Sequence, residues 1–275
     1  MSEADALQLL LGDSRRALVA LAIMAARLAP LLSLTPVFGG ALVPPIVRTA
    51  LAAALGLVVY PALGGIVDRL VGGSSLLLIA VLLSELWVGI VLALLVSAVF
   101  WAVQAAGWLV DTARGSAHAE LLLPGGGGRA TPTGTLFWLL ALVLFFVIGG
   151  HRALLLALAR SYLVLPPGAF PAASGVAAVA SLCLRLTAEL IALALVLSAP
   201  VLAALWLTDL ALGWVNRLVP QVSVFFVAMP LKALLGVALL ALLVGPLLMV
   251  LPASLELALG YARRAIELLA PSPGG

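Results

Sequence analysis

The chain has 275 residues, 65% of them hydrophobic and 9% charged, with a formal net charge of +3. Soluble domains carry about 25% charged residues, so a soluble domain is excluded. A nucleic-acid binder is excluded too, because the positive charge is scattered and no Lys/Arg block forms. The single cysteine, Cys183, rules out an intramolecular disulfide and a Cys-rich metal site. Lying in an apolar run, it reads as a small buried hydrophobe.

Apolar runs such as LLLIAVLLSELWVGIVLALLVSAVFWAV (76–103) exceed the roughly 18 residues that mark a membrane-type helix. The expected fold class is therefore all-α, a polytopic helical membrane protein. DSRRALVALAIMAARLA (13–29) loosely resembles a twin-arginine export signal. Such signals serve folded soluble passengers and the remainder of this chain is not soluble, so 15–37 is expected to be the first helix. Further apolar segments are expected at 44–63, 74–110, 133–164, 174–213 and 226–251, with an amphipathic tail near 254–269. FGGALVPP (38–45), Gly72-Gly73 and LPPGAFP (165–171) punctuate them.

Two features do not fit simple spans. As one helix, 74–110 would extend about 55 Å, against a hydrocarbon core of about 30 Å. Charges also fall inside the runs: Arg27, Arg48, Glu85, Arg185, Glu189, Asp209 and Lys232. A central Arg, Lys or Asp is disfavoured by about 2.5–3.5 kcal/mol on insertion scales, so these residues must pair within the chain, line a wet cavity or be covered by other subunits. Arg185 and Glu189 stand at i and i+4 and can meet on one helical face, in the less favourable order. Glu85 and Lys232 have no sequence neighbour, which favours partner contact or a wet conduit. Pro30, Pro36, Pro61, Pro200, Pro220, Pro230 and Pro246 interrupt or end apolar runs, and each is expected to bend or stop its helix. Broken helices at membrane depth need a protein or water cover. The arginines flanking the segments do not alternate cleanly across any hairpin arrangement.

WLVDTARGSAHAELLLPGGGGRATP (108–132) is the most polar stretch, yet it carries no enzyme motif. Gly125, Gly126, Gly127 and Gly128 lack the Lys-Ser/Thr and the strand–helix context of a phosphate loop. His118 and Glu120 are not spaced as HExxH and His151 lies a whole segment away, so no metal site is expected. Ser116, His118 and Asp111 make no credible triad on sequence proximity alone. No cofactor and no catalytic residue is expected.

Three stretches together carry a family resemblance. RLAPLLSLTPVFGGALVPPIVRTALAAALGLVVYP (27–61) is punctuated by Arg27, Pro36, Pro45, Arg48 and Pro61. ELWVGIVLALLVSAVFWAVQAAGWLVDTARGSAHAELLLP (85–124) is continued by LFFVIGGHRALLLALARSYLVLPPG (144–168). LSAPVLAALWLTDLALGWVNRLVPQVSVFFVAMPLKALLG (197–236) contains Asn216-Arg217, Pro220-Gln221, Phe225 and Pro230-Leu231-Lys232. From about 15 to 250 the chain resembles the SctT/FliR family, membrane subunits of the type III secretion export apparatus. The AMPLK ending and the GGHR…SY…LPPG run lean toward the SctT, injectisome branch over the flagellar one. Two departures stand out: Ser223 occupies a position where the family commonly has Asn, and the four glycines make the loop more flexible than the family's.

The resemblance implies a subunit of a helical, hetero-oligomeric export gate in the bacterial inner membrane. Its partners would be SctR-type and SctS-type subunits and an SctU-type switch protein, with membrane lipid around the assembly and unfolded secreted proteins as its cargo. Residues about 15–170 would be SctR-like, about 174–255 an SctS-like hairpin and 256–275 a tail. The resemblance also places a channel plug at about 107–128. In it, Asp111, Arg114 and Gly115 would anchor the loop, and 116–128, with Ser116, His118, Glu120, Pro124 and the four glycines, would be the mobile closure. The alternative is an ordinary exposed loop between two membrane helices. Arg27, Arg48, Glu85, Arg185, Glu189, Asp209, Asn216, Arg217, Gln221 and Lys232 would be subunit contacts or lumen wall; for Arg217, Gln221 and Lys232 the alternative is interfacial snorkelling. Two rivals remain: a secondary transporter with Glu85, Arg185, Glu189 and Asp209 as ion sites, and an intramembrane enzyme, disfavoured by the missing catalytic constellation.

Overall fold

The computed structural model describes residues 3–38, 43–59, 64–115, 131–171, 173–219, 221 and 224–269. Among them are eight helices and no strand: α1 (Glu3–Leu34), α2 (Pro45–Val59), α3 (Gly64–Val71), α4 (Ser75–Arg114), α5 (Pro132–Val147), α6 (Gly150–Val164), α7 (Ala173–Leu218) and α8 (Val224–Leu269). Four are long and apolar enough to cross a membrane, and a fifth span arises if α5 and α6 count as one. The chain is a multi-pass, all-α membrane protein.

Several helix ends follow from local chemistry. α4 runs 40 residues, about 60 Å at 1.5 Å per residue, and stops at Gly115, whose φ of +82° is a left-handed cap that other residues adopt poorly. The expected 133–164 segment is two helices. The break falls at Gly149, φ +76°, after Ile148 N–H has closed α5 on Leu144 O at 2.9 Å.

Five prolines lie within helices rather than ending them. Pro30 lies inside α1, Pro200 inside α7, and Pro230, Pro246 and Pro252 inside α8. α8 also continues through the expected amphipathic tail to Leu269 without interruption. A single lost hydrogen bond does not end a helix of 46 residues where the surroundings can re-satisfy the freed carbonyl.

The chain forms two compact units. The first comprises residues 1–97, 151–184 and 258–275. Here α1 packs on α2 and α3 and buries a helical stripe of Ala20, Ile23, Met24, Leu28 and Leu31. The second comprises 98–150 and 185–257. Its core includes Val99, Val103 and Val110 of α4, Leu197, Val201 and Leu205 of α7 and Leu243, Leu247 and Leu251 of α8, with Phe100 and Phe145 edge-to-face at 5.5 Å.

In lipid such apolar stripes do not by themselves drive helices together, because acyl chains are as apolar as leucine. Small residues and polar links must set the pairing. In the first unit, Gly89 of α4 lies so close to α1 that a Cβ there would fall on the Arg27 carbonyl. Nearby, Ser97 Oγ donates to Leu34 O at 3.0 Å, satisfying a carbonyl at the open end of α1.

Candidate functional site

In the second unit, the C-terminal turn of α4 meets the N-terminus of α5. Thr131 is the extended N-cap of α5 and Pro132 follows it, a pairing suited to a helix start. Thr131 Oγ1 accepts the Gly134 N–H at 3.3 Å. The neighbouring N–H, that of Thr133, is taken by Asp111 Oδ2 at 2.7 Å, and Thr133 Oγ1 donates to Asp111 Oδ1 at 2.6 Å. Asp111 is fully buried. Its carboxylate occupies the anion position that a helix N-terminus favours by dipole and free N–H groups.

One turn earlier on the same face, Gly107 lets the two backbones touch: a Cβ there would lie 2.6 Å from Gly134 Cα. The close approach and the carboxylate together form a clasp across the two ends of the 116–130 segment.

Arg114 Nη1 donates to Asp111 Oδ1 at 3.4 Å, and its side chain is 14% exposed. The arginine stem lies over Gly236 of α8. One turn before Gly236, Lys232 Nζ pairs with Asp209 Oδ1 of α7.

In the first unit the structure builds a second polar cluster. Arg27 of α1 is fully buried and forks onto Glu85 of α4, Nε to Oε2 at 2.6 Å and Nη2 to Oε1 at 3.0 Å. Its remaining donors reach Ser161 Oγ at 3.2 Å and Leu165 O at 3.0 Å, and its Cζ stands 4.2 Å from the Tyr162 ring centre. The planar guanidinium suits this bidentate and stacked arrangement in a way lysine would not.

Pairing within the chain thus absorbs four of the charges expected to need outside cover. Glu85 and Lys232, which lack sequence neighbours, receive Arg27 and Asp209 from distant helices. Arg27 and Glu85 are closed off inside the first unit, so they are neither an exposed contact nor a lumen wall there. Arg48 donates from Nε to Val43 O at 3.0 Å. Arg185, Glu189, Asn216, Arg217 and Gln221 are exposed, the first four on α7 and Gln221 in the turn beyond it. Gly115 caps α4, whereas Ser116, His118, Glu120, Pro124 and Gly125 to Gly128 fall outside the described residues, as does Ser223. Among the described residues no group of three His, Cys, Asp or Glu could hold a metal ion.

Sequence reasoning missed Thr131, Thr133, Ser161, Tyr162, Gly89 and Gly236. Thr131-Pro132-Thr133 is a legible helix start, and Gly89 within an unbroken apolar run marks a close approach. Ser161 and Tyr162 are the SY of the GGHR…SY…LPPG run, but nothing in that run names Arg27 as their partner.

A family model described as bacterial export proteins, family 1, matches residues 18–258. The Yop proteins translocation protein T of Yersinia pestis is 31% identical over 198 residues, covering 72% of this chain and 74% of that protein. The flagellar biosynthetic protein FliR of Pectobacterium carotovorum is 31% identical over 218 residues, 79% of this chain and 81% of the relative. The secretion system apparatus protein SsaT of Salmonella typhimurium is 36% identical over 139 residues, 50% and 52% of the two chains.

Proposed function

The chain belongs to the bacterial export proteins, family 1, which takes in the SctT and FliR proteins, and from that premise we propose that it is a non-enzymatic subunit of a type III export gate, whose 107–128 region plugs the channel at rest. The observation that carries this reading is the Asp111 clasp. A buried carboxylate at the foot of a polar segment fixes both ends while leaving the segment between them to close or clear a water-filled path. The gate lies in the bacterial inner membrane and conducts unfolded proteins.

Residues about 15–170 act as an SctR-like part and about 174–255 as an SctS-like hairpin, with 256–275 as the tail. SctR-type and SctS-type subunits cover the hairpin, and an SctU-type protein docks against the assembly. The hairpin's exposure supports that cover. Half of the apolar window of α1 and of α4 is buried within the chain, but only 33% of that of α7 and 22% of that of α8. Arg185, Glu189, Asn216, Arg217 and Gln221 provide contacts or lumen wall on the same part. A carrier reading requires carboxylates free to take up ions; Glu85 is engaged on both oxygens and Asp209 is held by Lys232. The AMPLK and GGHR…SY…LPPG runs favour the injectisome branch.

Deleting 116–128 in the native cells tests the plug: ion and small-molecule leak rises if the segment closes the channel, and unchanged permeability refutes it.

A further inference from the structure

We infer that Gly236 is a positioning residue: it forms a seat on α8 that holds Arg114 within reach of Asp111, so that the α4–α5 clasp is set by the register of α8. Glycine inside a helix is about 1 kcal/mol less favourable than alanine, and Gly236 is buried in the interior of α8 with no terminus or positive φ near it. Small residues in membrane helices commonly admit a neighbouring backbone. What Gly236 admits is a side chain: a Cβ would fall on Nε and Cδ of Arg114, and 3.0 Å from its Cγ.

Pairing alone does not fix that arginine. Its hydrogen bond to Asp111 is 3.4 Å long, against about 2.7–2.9 Å for a strong charge-assisted bond. Its Nε, although buried, has no hydrogen-bond partner among the described residues. Among the described residues this largely buried guanidinium has one long bond, and the missing Cβ supplies a steric seat for it.

The seat is also indexed. Lys232 stands one turn away on α8, tied to Asp209 of α7. The path therefore runs from α7 through Lys232 and Gly236 of α8 to Arg114 and Asp111 of α4, and ends on Thr133 of α5. A slide of α8 by one turn, about 5.4 Å, brings Lys232 or Leu240 to the place of Gly236 and pushes Arg114 off the clasp. Its consequence for the channel rests on the plug reading above; the seat itself does not.

The test is a double-mutant cycle read by hydrogen exchange of the 131–136 backbone, in the complex that the full chain forms in its native cells. Gly236→Ala and Arg114→Ala should each speed exchange about tenfold, the scale of one lost hydrogen bond to a charged group. The double variant should match Arg114→Ala alone, because a Cβ at 236 has nothing to displace once the arginine is gone. Unchanged exchange in Gly236→Ala overturns the inference, as does an equal further increase when Gly236→Ala is added to Arg114→Ala. If Gly236→Ala prevents recovery of the complex, recovery of the double variant supports the seat and its failure to recover overturns it. Running the 116–128 deletion in parallel separates the two ideas. A deletion that does not leak refutes the plug and leaves the exchange cycle to decide the seat.

Discussion

Replacing Glu85 by glutamine preserves shape and removes one charge from a pair with no access to water. The Arg27 and Glu85 side chains are 0% and 1% exposed. The pair is bidentate, with Nε–Oε2 at 2.6 Å and Nη2–Oε1 at 3.0 Å. Removing one partner of a buried pair destabilises by about 3–5 kcal/mol, because the other charge is left uncompensated. Ser161 Oγ, Leu165 O and the Tyr162 face remain on the guanidinium. A desolvated cation–π contact alone is worth about 2 kcal/mol, so the lower end, about 3 kcal/mol, is expected. The double variant Arg27→Met/Glu85→Met removes both charges. It strips the partners of Leu165 O and of the Gly168 N–H, but it leaves no uncompensated buried ion, and replacing a buried pair by apolar residues of similar volume is often neutral. Ser161 keeps its bond to Leu158 O at 2.7 Å. Glu85→Gln should therefore be the less stable of the two. In thermal unfolding of the detergent-extracted full chain, its midpoint should fall roughly 6–12 °C at about 2–4 °C per kcal/mol. A Glu85→Gln protein as stable as the parent refutes the reasoning, as does a double variant less stable than the single one.

The other predictions address different contacts. Gly89→Ala places a Cβ on the Arg27 carbonyl and should destabilise the α1–α4 pairing by about 1–3 kcal/mol, read in the same unfolding assay. Asp111→Ala removes two bonds from Thr133 and the counter-charge of Arg114; exchange at 131–136 should rise by the equivalent of about 2–3 kcal/mol while the thermal midpoint moves less. Lys232→Glu sets two carboxylates together where the present pair is partly exposed. Such a pair contributes about 1 kcal/mol or less to the chain's own stability, so unfolding should change little while recovery of the complex falls. Adding Asp209→Lys should restore that recovery, and normal assembly of Lys232→Glu would instead support snorkelling.

Helix content is readable because hydropathy runs are long and the residues are apolar all round; the run at 74–110, overlong if one helix, lies in the single helix Ser75–Arg114. A proline bends or stops a helix, and the sequence does not say which: Pro36 follows the end of α1, whereas α8 passes through three prolines. The break within 133–164 was written in Gly149-Gly150, but a glycine pair inside an apolar run does not announce which residue takes a positive φ. The charge problem was legible and its main solution was not. Arg27 and Glu85 are 58 residues apart and Ser161 lies 134 residues from Arg27, and no local periodicity encodes which helices bring such groups together. Asp111 stands out in the sequence as an expected anchor, but its partner does not: the N-terminus of α5 that it caps lies 22 residues on.

The central claim is that this chain works as one subunit of a hetero-oligomeric export gate. Its most direct test is purification of the tagged full chain from its native cells in mild detergent, with mass spectrometry of the proteins that accompany it. The account predicts two smaller helical membrane subunits, of SctR and SctS type, in a fixed ratio to the chain. Recovery of the chain alone, folded and stable without companions, would contradict it.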